Sequence, residues 1–101
     1  MTMNKHETDL FDRCLKAWGL NAQLLMLAEE SSELSTATLH LLRTKKANIE
    51  NFAEEIADVE LMLSEIKYFH RHTDLNYMIY NSRILKINRL IKRLEEAEKE
   101  T

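Results

Sequence analysis

The stretch Gln23-Leu24-Leu25-Met26-Leu27-Ala28-Glu29-Glu30-Ser31-Ser32-Glu33-Leu34 decides what this chain becomes. Its apolar stripe, Leu24, Leu27, Ala28 and Leu34, runs on to Thr38, Leu41 and Leu42 at helical spacing. Glu30 and Glu33 lie three residues apart and are neighbours on the helix surface, on a secondary face shared with Met26, Ala37 and His40. A second acidic cluster, Glu54-Glu55-Ile56-Ala57-Asp58, follows a basic linker and repeats the spacing. There Glu55 and Asp58 border the stripe Phe52, Ile56, Val59, Leu63, Ile66 and Phe69. Glu29 and Glu54 point farther outward and read as solvated.

Working outward, the periodicity predicts four helices. The first covers Lys5 to Trp18, with Leu10, Phe11, Cys14, Leu15 and Trp18 on its apolar side, and stops at Gly19, where glycine tolerates the left-handed conformation. The second runs from a cap at Asn21 to Arg43. A polar connector, Thr44-Lys45-Lys46-Ala47, leads through a cap at Asn48 into the third, Ile49 to His70. After the break at His70-Arg71-His72-Thr73-Asp74, with Thr73 or Asp74 as cap, the fourth runs from Leu75 to Glu98 and is expected to bury Ile84, Ile87, Leu90, Ile91 and Leu94. Short connectors make neighbouring helices antiparallel. The expectation is an all-α antiparallel bundle of about four helices, a single domain over 1–101 with a frayed tail at 95–101. One glycine and no proline argue the same way. The core is modest for such long helices, so an oligomer is expected to complete it, by symmetry a homodimer or a dimer of dimers.

Composition narrows the function classes. With 45% hydrophobic and 31% charged residues the chain reads as globular and not disordered. A net charge of -3 disfavours broad nucleic-acid binding, including by the basic fourth helix. Cys14 is the only cysteine, so neither an intramolecular disulfide nor a thiolate metal site is expected, and a reducing cytoplasm fits. Met1 to Leu10 is polar and charged, unlike a signal peptide, and no run approaches the ~18 apolar residues of a membrane span.

Two acid-bearing helices packed side by side would aim Glu30, Glu33, Glu55 and Asp58 at one point, an arrangement for a hard divalent cation. Magnesium suits it, being shared typically between carboxylates, waters and substrate phosphates. A ferritin-like di-iron bundle is excluded, because none of His6, His40, His70 and His72 has a glutamate three residues before it. The competing reading is a set of solvated glutamates on an acidic helical protein, and spacing leaves both open.

The double motif, Leu-Ala-Glu-Glu-Ser-Ser-Glu-Leu (27–34) with Glu-Glu-Ile-Ala-Asp-Val (54–59), resembles the all-α nucleoside triphosphate pyrophosphohydrolases of the MazG-like superfamily, whose relatives include dimeric dUTPases and dCTP pyrophosphatases. The resemblance is strong over residues 18–70 and weaker elsewhere. It implies hydrolysis of a nucleoside triphosphate between the α and β phosphates, giving monophosphate and pyrophosphate in nucleotide-pool housecleaning. It makes Glu30, Glu33, Glu55 and Asp58 the ligands of Mg2+, with Mn2+ as a substitute, and leaves Glu29 or one of the ligands to orient water. Lys86, Arg89 and Arg93, which with Arg83 follow three- and four-residue spacing beside the apolar stripe of the last helix, become candidates for the pyrophosphate end. Trp18 and Gln23 become candidates for the base, one by stacking and the other by reading its edge. The tryptophan-rich loops of some dCTP enzymes are missing, which leaves base preference open. The alternative function is a non-enzymatic interaction or regulatory bundle whose carboxylates serve solubility.

Overall fold

The computed structural model describes residues 3–44 and 49–100. Every regular element among them is helical: α1 over Lys5–Thr44, α2 over Ile49–Phe69 and α3 over Leu75–Lys99. The helix α1 starts where it does because the Asn4 side-chain oxygen accepts the Glu7 backbone N–H at 2.8 Å, satisfying one of the donors a helix start leaves orphaned. Gly19 takes the positive φ expected of it, 81°, with ψ 163°. Helix resumes on its far side, so the first two expected helices form one broken element, and three elements stand where four were expected. The expected connector at Lys45-Lys46-Ala47 and the cap at Asn48 lie outside the described residues.

Gly19 occupies a backbone region that is essentially closed to residues with a Cβ. Space is not the obstacle, since a Cβ there would meet nothing within 4 Å. Gly19→Ala is therefore expected to lower stability by about 1–3 kcal/mol through backbone strain alone. Urea unfolding followed by circular dichroism measures this, and an unchanged midpoint would mean that the break straightens without cost.

The chain divides into two compact units, 1–69 and 70–101. In the first, α1 and α2 pack antiparallel. Near one end the Tyr68 hydroxyl donates to Asp12 Oδ1 at 2.9 Å, and the Phe11 and Tyr68 rings sit 5.9 Å apart at 48°. Toward the other end Glu30 meets Glu55 and Asp58. Phe11, Ala37, Met62, Ile66 and Tyr68 form the core, together with the polar residues Gln23 and Glu65.

That core corrects the expected packing face. Of the main stripe of the second expected helix, Leu24 and Leu42 are exposed and Leu27, Leu34, Thr38 and Leu41 only half-buried. The buried positions are Gln23 and Ala37, in line with Glu30 at seven-residue intervals, so the acid-bearing face is the one pressed against α2. On α2 the expected stripe holds in part: Ile66 is buried and Phe52, Ile56, Val59 and Phe69 are half-buried, but Leu63 is exposed while Met62, Glu65 and Tyr68 are buried.

In the second unit α3 buries no residue. Ile84, Ile87, Leu90, Ile91 and Leu94, expected in a core, are all exposed. A single amphipathic helix has no second surface against which to remove its stripe from water. The tail expected to fray is helical through Lys99, and the Glu100 N–H closes it on the Ala97 and Glu98 carbonyls. At its start Asp74 is the N-cap residue, but the hydroxyl that accepts the Leu75 N–H, at 3.2 Å, is that of Thr73. No helix of the described residues is long and apolar enough to cross a membrane.

Candidate functional site

Helix α1 supplies Glu30 and Glu33 one turn apart, and α2 supplies Glu55 and Asp58 with the same spacing. Antiparallel packing turns the two pairs toward each other. Glu30, Glu55 and Asp58 each offer a carboxylate oxygen within 4.8 Å of the others. The Glu33 carboxylate adds its charge to the field that both Glu30 and Glu55 feel.

The electrostatics follow. Burial pushes the Glu30 carboxyl above its ordinary value, and the charges of Glu33, Asp58 and Glu55 push it further. Glu55 is raised in the same way, first by burial and then by Glu33, Asp58 and Glu54. One oxygen on each, Glu30 Oε2 and Glu55 Oε2, is buried without a hydrogen-bond partner. Orphaned anionic oxygens of this kind are costly unless something positive meets them.

The donor set fits a hard cation. It is all oxygen, and its 4.8 Å spread is close to the roughly 4.2 Å between opposite oxygens around Mg2+ at ~2.1 Å each. A side-chain adjustment of a few tenths of an ångström closes the difference. The same residues would accept Mn2+, which shares the preference for oxygen.

A groove of about 260 Å³ adjoins the cluster and includes Glu33 and Glu55 in its wall. Ala37 also lines it, and Ser32, Thr36, His40 and Asn51 bring polar groups. The Thr36 hydroxyl is already committed to the Ser32 carbonyl at 3.3 Å. Sequence reasoning did not single out Asn51. The signal was available, because Asn51 precedes Glu55 by four residues and so shares its face.

The other expected site residues fall elsewhere. Glu29 is exposed at the edge of the acidic motif. Gln23 is 3% exposed, packed in the core one heptad before Glu30. Trp18 is 63% exposed and lines a different groove, with Leu10, Arg13, Cys14 and Ala17. Lys86, Arg89 and Arg93 are exposed on α3, in the second unit. At 100° per residue Lys86 and Arg93 lie beside Leu90 at the edge of the expected stripe, Arg89 lies farther round, and Arg83 falls within the stripe.

The raised carboxyls give the stability of this chain a pH dependence. In the folded state Glu30 and Glu55 hold protons that the unfolded chain releases above its ordinary carboxyl value of 4.5. Native protein then binds more protons than unfolded protein, so stability falls as pH rises through the raised folded values and is greatest below the unfolded one. In chelator, the melting temperature should be higher near pH 5 than near pH 7.5. Adding Mg2+ should recover it at the higher pH and do little at the lower, where protons hold the carboxyls. A melting temperature with no magnesium effect at either pH would contradict the cation reading.

Comparison with known proteins finds no matching family model, no similar curated protein and no similar solved structure.

Proposed function

We propose that this chain is a Mg2+-dependent nucleoside triphosphate pyrophosphohydrolase of the MazG-like kind, cleaving its substrate between the α and β phosphates. The observation that carries the reading is the convergence of Glu30, Glu55 and Asp58, with the Glu33 charge beside them and two buried oxygens left unpartnered. Glu30, Glu33, Glu55 and Asp58 would hold the cation. A bound divalent cation supplies positive charge against phosphate oxygens and Lewis acidity toward water. Glu29 or one of the four ligands orients the attacking water and takes its proton.

The groove beside the cluster would take the nucleoside. It begins at Glu33 and Glu55, and Asn51 and His40 offer amide and imidazole groups to a sugar or a base edge. Gln23, buried in the core, is poorly placed for that task, and Trp18 lines another surface. Lys86, Arg89 and Arg93 remain the candidates for the pyrophosphate end. The uncovered stripe of α3 supports a bundle completed in a homodimer or a dimer of dimers. A cytoplasmic setting, with its nucleotide pool, fits the single reduced thiol of Cys14.

The test is incubation of the full chain with a panel of ribo- and deoxyribonucleoside triphosphates and Mg2+, with products resolved by phosphorus NMR. Monophosphate and pyrophosphate in equal amounts are the expected result. Monophosphate with two equivalents of free phosphate, or no turnover on any member, would overturn the assignment.

One observation favours a second reading. An α3 that buries none of its residues and leaves every apolar side chain after Leu75 exposed is what an interaction module presents. Under that reading Glu30→Ala and Asp58→Ala leave stability unchanged or improved, and Mg2+ does not move the melting temperature.

A further inference from the structure

A second buried acid lies away from the carboxylate cluster. Glu65, seven residues beyond Asp58 on the same side of α2, is 4% exposed, and its Oε1 has no hydrogen-bond partner. Its neighbours one turn away on α2 are Leu61, Met62, Tyr68 and Phe69, none of which carries a charge to offset its own. From α1 the titratable group facing it is Cys14, whose thiol is raised by burial and then by the Glu65 charge. The adjacent Arg13 acts on Cys14 in the opposite sense, and Asp12 is engaged by the Tyr68 hydroxyl.

The part of α1 that covers Glu65 precedes the break at Gly19. It is held to α2 by one buried ring and one hydrogen bond. Phe11 is buried and Asp12 accepts from Tyr68, while Leu10, Leu15 and Trp18 are exposed. Gly19 supplies backbone freedom where the segment ends, with open space around it. A segment bounded by such a joint opens at a cost set by those anchors, below that of unfolding the whole unit.

We infer that the Lys5–Trp18 segment of α1 is a lid hinged at Gly19, whose closure over Glu65 requires that carboxyl to be protonated. The ionised carboxylate needs water that the closed lid excludes. Opening admits water to Glu65 and separates it from Cys14. The inference stands apart from the hydrolase reading and needs no substrate.

The direction follows by linkage. Burial raises the closed-state carboxyl above its ordinary 4.5. The closed form therefore binds the proton more tightly, and rising pH favours opening. The opening constant should climb roughly tenfold per pH unit between the open-state and closed-state values, then level off.

Amide hydrogen exchange by NMR on the full chain, corrected for intrinsic base catalysis, reads this out. From about pH 5 to 8, protection of the amides between Leu10 and Ala17 should fall by clearly more than that of Leu27–Leu34 and Val59–Leu63, which decline only with the Glu30 and Glu55 dependence of the whole unit. Trp18, the only tryptophan and the residue before the hinge, should report the same transition by fluorescence. Glu65→Gln, neutral and nearly isosteric, should keep the segment protected across the range, and Glu65→Met should do the same by a different chemistry. Protection that is independent of pH in the natural chain overturns the lid. So does a pH dependence that survives both substitutions, or one shared equally by α2, which would be global unfolding.

Discussion

Glu55→Gln should leave a folded protein that hydrolyses nucleoside triphosphates on the order of 10²- to 10³-fold more slowly, the several kcal/mol that a cation at the reacting phosphate contributes. The substitution keeps the shape of the side chain and removes one of the charges that Glu30, Glu33 and Asp58 press against. Folding should not suffer. In the absence of cation Glu55 is held above its ordinary carboxyl range by burial and by Glu33, Asp58 and Glu54, so a neutral amide relieves repulsion. The opposed effects are what make the variant informative: activity falls while the melting temperature in chelator holds or rises. Magnesium-induced stabilisation should shrink along with activity, since both depend on the same oxygens. Glu54→Gln is the control, one residue away but exposed, and should retain most of the rate. Equal rates for Glu55→Gln and the natural chain would remove the carboxylate cluster from the reaction.

The acidic constellation was legible in the sequence because its geometry is local. Three-residue spacing on a helix places Glu30 beside Glu33, and Glu55 beside Asp58, whatever else the chain does. Only the antiparallel approach of α1 to α2 had to be added, and a short connector supplies that. Gly19 was legible for a similar reason, as the only residue of its kind in a long helical stretch. The packing face was not. Periodicity ranks helix faces by hydrophobicity, which favoured Leu24, Leu34 and Leu41 on α1 and Leu63 on α2. The contact instead closes on Gln23, Ala37, Met62 and Glu65. Ala37 is small enough to let the helices approach closely, and burying Gln23 and Glu65 is a cost that no hydrophobic ranking anticipates. Amphipathy also says that α3 needs a partner without naming it, so its stripe was expected in a core that the chain does not build around it. Asn51 and His40 were missed or set aside because a groove arises only once two helices meet.

Phe11→Ala should cost about 3–4 kcal/mol, the loss expected when a fully packed aromatic ring leaves a cavity behind. Phe11 is the least exposed apolar side chain among the described residues, at 2%. It also forms half of a ring contact with Tyr68, whose hydroxyl in turn holds Asp12. A small core rarely supplies more than ~3–5 kcal/mol in total, so this one substitution consumes most of the margin. Tyr68→Phe gives the scale for the neighbouring hydrogen bond, about 1 kcal/mol, because the ring stays and only the hydroxyl goes. The sum matters for where the damage is felt. Phe11 lies before Gly19, whereas Glu30, Glu33, Glu55 and Asp58 lie beyond it, near the other end of the α1–α2 contact. Denaturant unfolding of Phe11→Ala should therefore show a lower midpoint, and Mg2+ should still raise it, because the cation draws only on the distant end. A penalty below about 1 kcal/mol, the scale of an exposed side chain, would mean that the ring is not packed against α2 in solution. Loss of the magnesium effect along with the ring would mean instead that the two ends of the contact form and break together.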